Sequence, residues 1–194
     1  MKTLSQMNTN TCLRRSGRLM VALLVVLLTT FSLFSLTSCS EETLDYNNPD
    51  VELFVQQLKE GHLQIQTADG QASMPKFTMD DIDELLQYAE DLSVISSFPI
   101  APVNYSAGGK LRLGECILWT VETIRLGYNA SMGCKMVHTD ADNYEGIYFL
   151  TDEEVVDAAA RYRRWWEQRQ YPRTVWTIDP CYDEPLCGSN YMWW

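Results

Sequence analysis

Leu19 to Phe34 is an uncharged apolar run of 16 residues, preceded by Lys2, Arg14, Arg15 and Arg18 and followed by Leu36-Thr37-Ser38-Cys39. A spanning helix needs roughly 20 apolar residues, so a positive leader and a shorter apolar segment describe a signal peptide. Residues 1–38 therefore take no part in the fold, and what must fold is the remaining 156 residues. A chain of that length buries roughly two thirds of its unfolded surface in one core. No internal repeat or second apolar centre divides it, so residues 49–194 are expected to form a single domain.

Leu36, a small residue, Ser38 and Cys39 match the lipobox read by lipoprotein signal peptidase, which makes Cys39 the expected acylated first residue of the mature chain. The competing reading is a secreted protein with a chance cysteine at that position. Residues 39–48 form a polar tether, and Ser40-Glu41-Glu42 resembles the signal that sends Bacteroidetes lipoproteins to the outer face of the outer membrane. The expected location is the cell envelope, as a surface-exposed outer-membrane lipoprotein. The leader takes four of the 15 Lys and Arg and none of the 26 Asp and Glu, which leaves the mature chain a net charge of −15. Such a surface repels nucleic acid and anionic lipid, so membrane attachment falls to the lipid on Cys39.

Four helices have identifiable ends. Asn48 can cap the first, with Pro49 in its first turn; Val51, Phe54, Val55 and Leu58 give its stripe and Gly61 its stop. Thr78 with Asp81 forms a capping box for the second, whose stripe is Ile82, Leu85, Leu86, Ala89 and Leu92. Leu113 to Leu126 is apolar almost all round, as a central helix is, and its narrow polar seam spaces Arg112 with Glu115 and Glu122 with Arg125 for i, i+3 pairs. Thr151 and Glu154 cap the fourth, which runs through Val155, Ala158, Ala159, Tyr162, Trp165 and Trp166 until Tyr171-Pro172. His62 to Thr67 with Asp69-Gly70 suggests a short hairpin arm, Ile147 to Leu150 and Thr174 to Ile178 short strands, and Ser97 to Lys110 a loop. The expected fold is mainly α: one domain of about four helices with short β additions.

The phrases Asn48-Pro49-Asp50 with Phe54-Val55, Pro75-Lys76-Phe77-Thr78 with Asp81-Ile82, Phe98-Pro99, Leu113-Gly114-Glu115-Cys116 with Leu118-Trp119, and Glu122 with Ile124-Arg125 resemble an uncharacterised lipoprotein family of Bacteroidetes. The resemblance covers most of residues 48–194 and implies a mainly helical domain of unknown function. It implies no activity and no catalytic residue.

Once Cys12 leaves with the leader and Cys39 takes lipid, Cys116, Cys134, Cys181 and Cys187 remain, with three full pairings. Cys181 and Cys187 enclose a short Pro-containing loop, and their spacing in an oxidising compartment predicts a disulfide. Cys116, on the most apolar helix, reads as a buried free thiol, the alternative being a bridge to Cys134. No C-x-x-C occurs, so thioredoxin-type and paired zinc sites lack support. His138, Asp140 and Asp142 start like a calcium loop, but Tyr144, Glu145 and Thr151 break its pattern. We expect no metal and no cofactor.

Glu115 and Glu122 are the best carboxylate pair, with backbones about 10 Å apart along one helix face. Inverting glycosidases hold their carboxyls at roughly 6.5 to 9.5 Å, usually from different elements around a cleft, so ion pairing to Arg112 and Arg125 is the plainer reading. Arg161, Arg164, Trp165 and Trp166 form the one basic aromatic cluster on an acidic chain, and sit either with rings inward and arginines outward or as a site for an acidic glycan or protein. The aromatic run Tyr191 to Trp194 is expected to dock on the domain near Tyr162, Trp165 and Trp166. By subtraction, the sequence points to a lipid-anchored, non-catalytic binding or scaffolding module with an envelope protein or glycan partner. The alternative is an envelope glycan hydrolase using Glu115 or Glu122.

Overall fold

The computed structural model describes residues 42–68, 71–101, 109–139, 148–169 and 181–194. The chain runs through α1 (Val51–Glu60), β1 (Thr67–Ala68), β2 (Gln71–Ala72), α2 (Ile82–Leu85), α3 (Leu113–Leu126), β3 (Met136–His138), α4 (Asp152–Arg169) and β4 (Tyr191–Trp193). Short 3-10 turns, Met79–Asp81 and Leu86–Tyr88, lengthen α2 at both ends. This is a mainly helical domain with small β additions, and residues 43–194 form one compact unit. No described helix is long and apolar enough to cross a membrane.

The helix ends follow local chemistry. In α1 the cap is Asp50, whose carboxylate accepts the Leu53 amide at 2.7 Å, rather than the expected Asn48. Pro49 therefore lies just outside the helix, because a carboxylate one residue further along reaches the free amides of the first turn. Gly61 ends α1 in the left-handed region at φ 70°. Thr78 and Asp81 form the expected reciprocal box, and so do Thr151 and Glu154, with Glu154 accepting the Thr151 amide at 2.8 Å. Burial pulls the Glu154 carboxyl upward, but that amide and His138 outweigh it and leave its pKa below the usual value.

α3 is the centre, buried continuously from Leu113 to Glu122 and packed against α4 and the α2 region. The backbone of the α2 region comes so close that a Cβ at Gly114 would collide with the Ala89 carbonyl, while the Gly114 amide donates to the Asp91 carbonyl at 2.7 Å. That turn toward Gly114 ends the α2 region at Tyr88, short of the stripe's last member, Leu92. α1 reaches the centre through rings: Phe77 meets Phe54 at 5.0 Å, Phe54 meets Phe98 at 6.4 Å and Phe98 meets Trp119 at 5.9 Å.

The β pieces are two antiparallel ribbons. β1 pairs with β2 in the segment expected to form a hairpin arm, around residues 69–70, which lie outside the described set. The Tyr46 hydroxyl anchors this arm, donating to the Gln64 carbonyl at 3.0 Å and accepting from the Gln66 amide at 3.3 Å. β4 pairs with β3 in the register Met136 to Trp193, and Phe149, from the expected strand at residues 147–150, bridges Val137 on the other side. The aromatic tail thus docks by backbone pairing as well as by its rings. The strand expected over Thr174 to Ile178 lies outside the described residues.

Candidate functional site

Both glutamates of α3 are consumed inside the protein. Glu115 is fully buried; its Oε2 lies 3.3 Å from both Arg112 Nη1 and Lys135 Nζ, and its Oε1 accepts the Met136 amide at 2.7 Å. Lys135 is 1% exposed and also donates to the Lys110 carbonyl, while Arg112 continues to Asp152 at 2.7 Å and to the Leu150 carbonyl at 3.0 Å. Two cations and two carboxylates make a neutral cluster, the condition under which buried charge is tolerated.

Glu122 takes a two-pronged grip from Arg125, with Nε at 2.9 Å and Nη2 at 2.6 Å, and accepts the Tyr162 hydroxyl at 3.0 Å. The Tyr162 oxygen in turn accepts Trp193 Nε1 at 3.0 Å, and Arg125 Nη1 donates to the Asp183 carbonyl at 2.7 Å. Burial, then the Glu122 charge, pushes the Tyr162 phenol well above its usual pKa. This network ties α3, α4, β4 and the loop beginning at Cys181 together. Its geometry positions elements and offers no open carboxyl to a substrate.

The basic aromatic stretch on α4 does not converge on one site. Trp165 is buried and Arg169 lies 4.8 Å over its ring, reaching Asp183 at 3.2 Å. Arg161 pairs with Asp157 at 2.8 Å and sits 5.8 Å over Tyr191, lining a polar groove with His138, Glu154 and Ser189. Trp166 donates to Asp83 at 3.2 Å and lines a different groove with Arg163, whose guanidinium meets Glu90 at 3.2 Å. Arg164 is exposed. Three arginines of the stretch already have carboxylate partners, so little unbalanced positive charge remains for an acidic glycan.

Sequence reasoning missed a third groove of about 460 Å³ between the segment leading into α2 and the end of α3. Phe77, Met79, Thr120, Ile124, Tyr128 and Asn129 line it, and among the described residues no lining side chain carries a charge. On a chain this acidic, an uncharged recess is distinctive. Tyr128 stands 64% exposed just after Gly127, which ends α3 at φ 76°. An aromatic residue directly after a helix-stopping glycine was the available signal.

His138 sits 3.1 Å from Glu154, while Asp140 and Asp142 lie outside the described residues. Among the described residues no three His, Cys, Asp or Glu side chains are grouped as a metal site. Cys181 and Cys187 are joined by a disulfide with Cα atoms 5.1 Å apart; Cys116 and Cys134 are buried and unbonded. Cys39 lies outside the described residues. No curated protein and no solved structure matches the chain. A family model for a domain of unknown function, DUF4943, matches residues 45–194, and the chain belongs to that family.

Proposed function

We propose that the protein is a non-catalytic binding or scaffolding module of the bacterial cell envelope, a Bacteroidetes lipoprotein held to the outer membrane by lipid on Cys39. The observation that carries this reading is the use of Glu115 and Glu122 as internal struts. A glycan hydrolase working through either would need room for a glycosidic oxygen or a water beside the carboxyl, and each is already covered by basic side chains and hydrogen-bond donors. The uncharged groove beside Tyr128 supports binding, since an exposed ring flanked by hydroxyl and amide groups suits a neutral glycan or the neutral surface of an envelope protein.

The test is retention of the mature protein on immobilised envelope polysaccharide and on envelope proteins. Tyr128→Ala should weaken retention at least about fivefold, the loss of roughly 1 kcal/mol from one ring contact, without moving the melting temperature. No new reducing ends should appear in the polysaccharide. Reducing ends that vanish in Glu115→Gln or Glu122→Gln would replace this reading with the hydrolase.

A further inference from the structure

Cys116 and Cys134 come from different elements and meet in the core. Cys116 lies on α3 directly after Glu115, and Cys134 directly before Lys135 and β3. Both are fully buried, and their sulfurs are 3.0 Å apart. A disulfide spans about 2.05 Å, so bonding asks for about 1 Å of movement shared by two side chains. The two elements are already tied beside the cysteines: Glu115, next to Cys116, accepts the Met136 amide and reaches the Nζ of Lys135, next to Cys134. The two sulfurs thus face each other in a frame that fixes their spacing.

We infer that Cys116 and Cys134 form a second disulfide in the exported protein, made by exchange with the disulfide of a thiol oxidoreductase. The supply of that oxidant rests on the export proposed above. In the first exchange the Cys134 thiolate attacks one sulfur of the oxidoreductase disulfide, forming a mixed disulfide and releasing one oxidoreductase thiolate. The Cys116 thiolate then attacks the Cys134 sulfur and releases the second. The protein gives up two thiol protons and two electrons, and the oxidoreductase leaves with two thiols. In the closed core neither sulfur is accessible, and burial pushes the Cys116 thiol well above its ordinary pKa. Exchange therefore belongs to the open chain, before α3 and the β3 segment close together, and the finished bond is equally sheltered from reductants.

The bond has a bearing on the groove. It closes the segment between residues 116 and 134, which carries Gly127, Tyr128 and Asn129 along one groove wall. Inside that segment Ser131 accepts Trp119 Nε1 at 3.1 Å and donates to the Gly133 carbonyl at 2.6 Å. A covalent tie at its base would hold the wall in the shape a ligand meets.

The experiment is peptide mapping without reduction, on mature protein taken from the envelope with acid quenching and alkylated in denaturant. Cys116 linked to Cys134, with Cys181 linked to Cys187, is the expected result. Cys116 and Cys134 both alkylated beside an intact Cys181–Cys187 bridge would overturn the inference and leave export standing. All four alkylated would count against export itself. In that case, refolding the reduced chain with oxidised glutathione decides the pairing alone: Cys116 joined to Cys134 sustains the inference, and any other pairing or free thiols overturns it.

Discussion

At the residue scale, the two glutamates that looked most chemical are tied into the fold by ion pairs and hydrogen bonds, and Tyr162 shows how. Its hydroxyl donates to Glu122 and accepts from Trp193, so one oxygen satisfies a buried carboxylate and a half-buried indole. Tyr162→Phe leaves both without that partner and should cost about 1 to 3 kcal/mol at neutral pH in urea unfolding. The pH dependence has a definite sign. The folded phenol is held protonated above its usual pKa, so its contribution is complete below about pH 10 and declines as rising pH ionises the unfolded chain. The gap between wild type and Tyr162→Phe should therefore narrow above about pH 10; a gap that widened would contradict the assignment. The i, i+3 spacing of Glu122 and Arg125 was legible because it is local, as was that of Glu115 and Arg112. Tyr162 and Lys135 were not, since each comes from an element distant in sequence.

At the element scale, helix ends were readable where a reciprocal capping box lies within one turn. The boxes at Thr78 and Thr151 formed as spaced, whereas at α1 Asp50, directly after the proline, took the amide in place of the expected Asn48. The α2 stripe ran on to Leu92, but close packing at Gly114 turned the backbone first, and that constraint is tertiary. The aromatic end of the chain was expected to dock, yet its partner, β3, has too short a pattern to signal a strand. β4 is held by its ladder, by Trp194 N donating to the Lys135 carbonyl at 3.0 Å, and by the Trp193 indole on Tyr162. Deleting residues 190–194 should lower the melting temperature by several degrees, as a loss of roughly 1 to 3 kcal/mol does in a domain of this size. Calorimetry showing no change would mean that the ribbon carries no stability.

At the scale of the whole molecule, composition and periodicity conveyed a helical domain, but not the groove. Its walls come from residues 74–79 and 120–129, two stretches with nothing in either to announce the other. Address is a separate matter from fold, and the proposed anchor has its own expectation. Metabolic labelling with a palmitate analogue should mark wild type and not Cys39→Ala, and protease added to intact cells should remove the labelled protein. Label retained in the variant would refute the anchor, and full protection from protease would put the protein on the inner face. The pairing of Met136 with Trp193 also has a kinetic side. It closes a loop of more than 50 residues, a contact of high sequence separation whose closure entropy is spent before the pairing offsets it. Under the export proposed above, a chain emerging from a translocation pore would complete that ribbon only after its last strand had crossed.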